Sequence, residues 1–259
     1  MISRLNIALL SALTLPLALP MTACAQESFA RHSAEIVSTY PHDVEAFTQG
    51  LFMHDGELYE STGQVGQSTL RRVDLVTGDV LQSANIHPPL FGEGSVRVGE
   101  EIFMLSWRAG IGLVFNADSF EQVDTFSYPG EGWGLTYDGS HLIMSDGTAN
   151  LRFLDPTTLE LTNIIEVTLN GRALTDLNEL EWVDGEIWAN IWQSRYIMRI
   201  DPETGRVLGT VSLVGIIPDE VAGSRDAVAN GIAWNSETGQ IFVTGKLWPE
   251  LYEIRLIDQ

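Results

Sequence analysis

Apolar positions along the chain come in short runs separated by turn residues, and one pattern occurs five times. A turn is followed by an apolar strand in DGELYEST from Asp55, VGEEIFMLSW from Val98, DGSHLIMSDG from Asp138, DGEIWANIW from Asp184 and TGQIFVTG from Thr238. The turn glycines Gly56, Gly99, Gly139, Gly185 and Gly239 recur at intervals of roughly 40 to 55 residues, the period of a four-stranded repeat. Asp-Gly or its equivalent between alternating apolar runs is the strongest short-range hairpin signal. No helical periodicity competes with it.

A second turn follows four of the five: VDLVTGDVL from Val73, FNADSFEQV from Phe115, LDPTTLEL from Leu154 and IDPETGRVL from Ile200. Here Pro presets φ, the Asp side chain caps the turn, and Gly accepts φ > 0. Repeating hairpin pairs of this length predict a radial array of four-stranded sheets. The expected fold is therefore all-β, a five-bladed β-propeller closed by pairing of the N- and C-terminal strands. The last copy lacks the outer turn and runs on to LYEIRLI (Leu251 to Ile257). A strand near Ile36 to Tyr40 is expected beside it, covering an otherwise open edge. A plain β-sandwich is the alternative.

Propellers work at the mouth of the central channel, where the innermost strands converge. Those strands read FTQGLFMHDG from Phe47, FGEGSVRVG from Phe91, EGWGLTYDG from Glu131, LNELEWVDG from Leu177 and ANGIAWNSETG from Ala229. Their matched positions hold Gln49, Glu93, Trp133, Asn178 with Glu179, and Asn230. Unlike polar residues at one equivalent place of a repeated frame point to a site grafted on a scaffold. The following strands supply a second ring of Gly63, Trp107, Asp146, Trp192 and Lys246. Three indoles (Trp107, Trp133, Trp192) thus gather near one mouth, whereas Trp182, Trp188, Trp234 and Trp248 read as core.

Composition narrows the chemistry. The 259 residues carry 35 acids against 14 bases, a formal net charge of -21, with 44 % apolar residues. That is a folded globule with no basic surface for nucleic acid or anionic lipid. Lys246 is the one lysine among 13 arginines. A compact ammonium where a planar fork has no room would explain it. The one cysteine, Cys24, precludes an intrachain disulfide and a cysteine-rich zinc site. The five histidines show no pair at metal-ligand spacing, and no metal ligand is assigned. Asp146-Gly147-Thr148 reads as a turn. The amino-terminal 25 residues have the layout of a signal peptide, with Arg4 before an apolar run from Ile7 to Met21. Cleavage at Ala23-Cys24-Ala25 would release one catalytic domain, 26–259. Alternatively, Thr22-Ala23-Cys24 is a lipoprotein box that would anchor the chain to a membrane through Cys24. Either way the protein is expected to be exported, periplasmic or secreted, and a monomer.

The motifs, in order, resemble a known family. They are His42-Asp43, Phe47 to Leu51 (FTQGL), Leu58 to Gly63 (LYESTG), Phe91 to Gly94 (FGEG), Glu131 to Leu135 (EGWGL), Met144 to Thr148 (MSDGT), Leu177 to Glu181 (LNELE), Ile187 to Asn190 (IWAN), Asn230 to Ile232 (NGI) and Val243 to Pro249 (VTGKLWP). This series is similar to the plant and bacterial type of glutaminyl cyclase, the glutaminyl-peptide cyclotransferases. Val44-Glu45 departs from the proline usual after His-Asp. The resemblance implies a five-bladed propeller that converts N-terminal glutaminyl residues of peptides to pyroglutamyl with loss of ammonia. It implies that Glu93 is the acid-base residue and that Phe47, Gln49, Trp107, Trp133, Asn178, Trp192 and Lys246 form the substrate pocket. No cofactor is required for catalysis, and a structural calcium ion in the channel, as in plant relatives, is compatible with it.

The chemistry suits the ring: one carboxylate can take the proton of the attacking amine and return it to the leaving nitrogen. Lys246, Asn178 and Gln49 would bind the carboxamide oxygen as it becomes negative. Two other readings are a metal-dependent, lactonase-like hydrolase with calcium on Glu93, Asn178 and Asp146, and a non-catalytic peptide-binding propeller.

Overall fold

The structure, a computed structural model, describes residues 29–259; the export signal expected over residues 1–25, and Cys24 with it, lies outside them. The chain begins with β1 (Ala30–Pro41). A four-stranded antiparallel meander follows, β2 (Thr48–His54), β3 (Glu57–Thr62), β4 (Thr69–Val73) and β5 (Val80–Asn85). The second unit is β6 (Gly92–Val98), β7 (Glu101–Ser106), β8 (Ile111–Asn116) and β9 (Gln122–Ser127). The third is β10 (Leu135–Tyr137), β11 (Leu142–Met144), β12 (Asn150–Leu154) and β13 (Leu161–Glu166). After a two-residue ladder of β14 (Thr168–Leu169) and β15 (Arg172–Ala173) comes the fourth unit: β16 (Leu177–Val183), β17 (Glu186–Ile191), β18 (Tyr196–Ile200) and β19 (Val207–Ser212). The chain closes with β20 (Ala229–Asn235), β21 (Gln240–Gly245) and β22 (Glu250–Asp258). The described residues are all-β and contain no helix.

The hairpin turns have the backbone that their sequences demand. Asp55-Gly56 and Asp184-Gly185 both hold two successive left-handed residues, the type I′ geometry that matches strand twist. Outer turns such as Asp74-Leu75-Val76-Thr77 are capped by the Asp74 side chain, which accepts from the backbone amides of Val76 and Thr77.

Strand β1 does more than the sequence pattern foresees. From His32 to Pro41 it pairs antiparallel with β22, Ile36 opposite Ile254 and Tyr40 opposite Leu251. Its first half also pairs parallel with β19, Ala30 opposite Gly209. The fourth and last units thereby merge into one eight-stranded sheet, ordered β16-β17-β18-β19-β1-β22-β21-β20. The two neighbours lie on opposite edges of β1, so His32 and Ser33 pair with both at once, and a register shift interrupts the β22 ladder between Ile36 and Ser38. This covers two sheet edges at once, so the strand is 12 residues long rather than a short closing piece.

Middle strands such as β3, β7 and β17 are buried along most of their length, and outer strands such as β5 and β9 are largely exposed. Strands buried on both faces read as near-continuous apolar runs, which explains IFML and the like. Five apolar clusters among the described residues each join two neighbouring units. Phe52 and Tyr59 pack with Ile102 and Met104, Phe103 and Leu105 with Leu135 and Leu142, and Ile143 and Phe153 with Leu180 and Ile187. Trp188 and Ile197 pack with Ile232 and Val243, and Ala233 and Phe242 return to Leu51 and Leu58. Trp248 is fully buried in one of these clusters, and Trp182 and Trp234 pack against them, as expected of core residues.

The innermost strands follow the same closed order: β2 packs on β6, β6 on β10, β10 on β16, β16 on β20, and β20 on β2. Their approach is set by glycine. A Cβ on Gly134 would stand 2.1 Å from the carbonyl oxygen of Asn178, and one on Gly94 would stand 2.5 Å from the amide of Leu135. Because the obstructing atoms are backbone, they cannot rotate aside. Gly134→Ala should therefore lower unfolding stability by about 2 kcal/mol or more. Urea denaturation checks this as a lower midpoint at unchanged slope.

Candidate active site

The residues that face the common mouth are released from their strands by bulges. Register between the two innermost strands breaks between Thr48 and Gly50, Gly92 and Ser95, Leu177 and Leu180, and Ala229 and Ile232. Gln49, Glu93, Asn178 and Asn230 all fall inside these breaks. A bulge leaves a residue outside the ladder and re-aims its side chain. Trp133, the fifth member, precedes β10 and is held by its amide donating to Ser145 O at 2.9 Å.

All eight residues expected at the site line one cavity of about 340 Å³: Phe47, Gln49, Glu93, Trp107, Trp133, Asn178, Trp192 and Lys246. Four further residues line it that the sequence reading did not single out: Phe91, Arg108, Glu131 and Asp226. Of the two aligned rings, Glu179 and Asn230 serve the frame instead. Glu179 accepts from the amides of Leu51 and Ile232, joining three inner strands. The Asn230 amide nitrogen donates to Thr48 O at 2.9 Å and to Gln49 Oε1 at 3.2 Å. That second bond fixes the Gln49 amide with its own NH₂ left to donate into the cavity.

Glu131 organises the aromatic wall. Its Oε2 accepts from Trp107 Nε1 at 2.7 Å and from Trp133 Nε1 at 2.9 Å, and its Oε1 accepts from Arg108 Nε at 3.0 Å. Burial pushes its carboxyl up, but the bonds from Trp133, Arg108 and Trp107 outweigh this and hold it below the usual carboxylate range. The Arg108 guanidinium also lies 3.8 Å from the Trp107 ring centroid. Trp133 and Trp192 meet edge to face at 6.0 Å, and Phe91 packs between Phe47 and Trp107. Gly147 permits the Trp133 placement: its φ is +79°, and a Cβ there would stand 2.8 Å from the indole. Trp192 is 43 % exposed, so it forms the rim of the cavity.

The ionisable pair at the base is Glu93 and Lys246, 4 % and 5 % exposed. Among the described residues no side chain donates a hydrogen bond to the Glu93 carboxylate. Burial pushes it well above the usual carboxylate range, Lys246 draws it partly back, and Glu131 adds to the rise. Burial brings the Lys246 ammonium down to about 8 against the attraction of Glu93 and Asp226. Its Nζ lies 4.8 Å from the Phe47 ring centroid. Asn178 Oδ1 is buried with no hydrogen-bond partner, a polar atom open to a ligand.

A histidine that sequence reasoning left without a role braces this arrangement. His42 Nδ1 faces the Trp248 carbonyl at 2.7 Å, and Nε2 faces Glu60 Oε1 at 3.1 Å. With an acceptor at each ring nitrogen, both carry hydrogen and the ring is imidazolium. Burial opposes that charge, yet the Glu60 carboxylate raises the His42 pKa overall. Glu60 also accepts from Thr48 Oγ1 at 2.7 Å and Arg71 Nε at 2.9 Å, and is held at about 2 despite burial. Together with Leu247 N donating to Ala46 O at 2.7 Å, this ties the segment bearing Phe47 and Gln49 to the one bearing Lys246.

A calcium ion fits the side chains poorly. Glu179 and Glu181, the buried carboxylates of β16, each already accept from two donors, Glu181 from Trp234 N and Thr136 Oγ1. Among the described residues no group of three or more His, Cys, Asp or Glu side chains could hold a metal ion. Asp146 does not line the cavity. Its Oδ1 caps its own turn at Thr148 N, 3.0 Å away, and its Oδ2 faces Arg152 at 3.3 Å. The triad of Glu93, Asn178 and Asp146 proposed for a metal hydrolase does not assemble.

Comparison with known proteins agrees with this geometry. The family model described as glutamine cyclotransferase matches residues 9–256. A glutaminyl-peptide cyclotransferase of Arabidopsis thaliana is 43 % identical over 226 residues, 86 % of this chain and 71 % of that protein. The crystal structure of a glutaminyl cyclase from Myxococcus xanthus superposes with a TM-score of 0.84 at 39 % identity, covering 90 % of this chain and all of that one. The chain belongs to the glutamine cyclotransferase family.

Proposed function

We propose that this protein is a glutaminyl-peptide cyclotransferase, in which the cavity closes an N-terminal glutaminyl residue to pyroglutamyl and releases ammonia. One observation carries the reading: a buried carboxyl without a hydrogen-bonded partner, Glu93, shares a cavity with Lys246, Gln49 and Asn178 under a wall of indoles. The five hairpin units are read as the blades of a propeller whose mouth is this cavity. The closed order of inner-strand packing and the β1–β22 pairing support that reading. A leader over residues 1–25, read from its sequence, would export the chain.

The neutral α-amine of the substrate attacks the γ-carboxamide carbon, forming the ring C–N bond. Glu93, ionised, takes a proton from that nitrogen and returns it to the departing amide nitrogen as the exocyclic C–N bond breaks. Ammonia leaves, and Glu93 is regenerated. The carboxamide oxygen gains charge between the two steps. Lys246 Nζ and the amide NH₂ of Gln49 are its donors, the kind of preorganised stabilisation that dominates acyl transfer. Asn178 Oδ1 accepts from the substrate nitrogen. Phe47, Trp107, Trp133 and Trp192 hold the side chain folded over the amine and exclude water. No cofactor takes part.

Ammonia release from a Gln-initiated dipeptide, measured with a chelator present, tests the reading; the absence of turnover would sink it. Glu93→Gln should cut kcat by at least about 100-fold, the range of acid-base contributions, with the fold intact. Retained kcat by steady-state assay would remove Glu93 from the mechanism.

The pH dependence follows from the two buried charges. Below its raised pKa Glu93 is protonated and cannot act as base, so kcat rises with pH at a point above the ordinary carboxylate range. Above about 8 Lys246 loses the charge that stabilises the oxyanion, so kcat falls again. Lys246→Arg should remove the alkaline fall, because guanidinium stays charged, while lowering kcat through misfit of the planar fork. A pH–rate profile of both proteins checks the two effects separately.

A further inference from the structure

Beside the catalytic cavity lies a second one of about 270 Å³, built by the residues just after β17 and by the 217–229 segment. The two are lined by consecutive residues of the chain. Trp192 and Asp226 line the catalytic cavity, and their chain neighbours Gln193 and Arg225 line the second. Ile217, Val221 and Ala227 give the second cavity an apolar floor, while Arg195 and Arg225 supply its charge.

Those two arginines share with Arg31, Arg97 and Arg172 the lack of an ion pair among the described residues, and they differ from those three in lining one cavity together. Acids outnumber bases 35 to 14, and Arg71, Arg72, Arg108, Arg152, Arg199 and Arg255 each pair with a carboxylate of the protein. Neither Arg195 nor Arg225 takes part in any ion pair among the described residues. Two unmatched guanidiniums therefore border an apolar-floored cavity that adjoins the reaction site. A carboxylate on a short methylene stem matches that combination: the stem covers the floor, and the head accepts paired N–H donors.

We propose that this second cavity receives a carboxylate from the peptide just beyond its N-terminal glutamine, making acidic peptides the preferred substrates. The proposal rests on the cyclotransferase reading. The glutaminyl residue occupies the catalytic cavity, and its chain leaves past Trp192 and Asp226, advancing about 3.3 Å per residue when extended. The carboxylate is either an acidic side chain at the second or third residue or, in a dipeptide, the chain terminus.

Peptides with Gln first and a C-terminal amide, carrying Glu or its isostere Gln at position 2 or 3, separate the sources from Gln-Ala given as free acid and as amide. For the side-chain source, Glu should raise kcat/KM about three- to tenfold over Gln at one of these positions. For the terminal source, the free-acid dipeptide should exceed its amide by the same factor. The preference should shrink with added salt, since the site is open to solvent. The double variant Arg195→Ala/Arg225→Ala should abolish the preference while leaving kcat/KM for Gln-Ala amide unchanged. Arg225→Glu should invert it toward lysine-bearing peptides. Equal kcat/KM for acid and amide at every position in the unmodified enzyme overturns the proposal, as does a preference that survives the double variant. Failure to cyclise any of these peptides would instead count against the cyclotransferase reading itself.

Discussion

The molecule depends on how closely its inner strands approach one another. At one level of the ring the aligned positions are Gly50, Gly94, Gly134, Glu179 and Gly231. A side chain on Gly50 would stand 2.6 Å from the amide of Ser95, and Gly94 donates directly to the Trp133 carbonyl at 2.7 Å. Gly50, Gly94 and Gly134 thus let backbone meet backbone, and Gly231, at φ +131°, packs against the side chains of Thr244 and Thr48. The fifth place holds a carboxyl that reaches the amides of Leu51 and Ile232, beside two of those glycines. The ladder cannot remain regular through such contacts, and it breaks there. Each break throws the residue before the glycine, or before Glu179, out of register. The constraint that brings the strands together is also the one that presents unlike polar side chains at a single mouth.

Exclusion of water at this level decides what each buried acid does. Glu60 and Glu93 are equally buried, yet their environments drive them in opposite directions. Glu60 is surrounded by His42, Arg71 and Thr48, and remains ionised down to about 2. Such a group is fixed in charge and position, so it suits a brace between segments. Among the described residues Glu93 has no hydrogen-bonded partner; Lys246 draws it partly back, but burial and the Glu131 charge push it well up. A carboxyl whose proton affinity is raised in this way suits proton transfer. Glu131, bonded by two indoles and a guanidinium, is held low and acts on the geometry of the wall. Three glutamates with three roles differ in partners rather than in residue type.

That distinction marks what the sequence could reveal. Turn glycines, strand alternation and the aligned inner segments depend on local chemistry repeated in each unit, and seven of the eight expected pocket residues were legible from the alignment of copies, Phe47 coming from the family resemblance alone. Glu131 stood in the aligned EGWG segment, but its role depends on two indole nitrogens from different units, which no spacing within one copy encodes. The His42 brace joins positions about 200 residues apart and leaves no periodic trace. The β1–β19 pairing was hidden for a similar reason, since a parallel edge contact has no turn to announce it. Asp226 and the second cavity lie in the longest interval between turn glycines, an insertion that periodicity could locate without saying what it holds.

The single lysine brings these threads together. Gly245 leaves room for the Trp248 indole, against which a Cβ would stand 2.3 Å away, and Trp248 in turn offers its carbonyl to His42. Lys246 N donates to Val228 O at 2.9 Å, so the residue is also tied to the segment that ends the inserted loop. Its backbone is therefore fixed from both sides, by the His42 brace and by the loop that lines the second cavity. The side chain runs to an ammonium beside the Phe47 ring, with proton affinity brought near the working range by burial. A guanidinium, charged at every working pH, would not tune in this way. Position, charge and the connection between the two cavities thus converge on one residue, whose identity is constrained by the packing around it as much as by the reaction it serves.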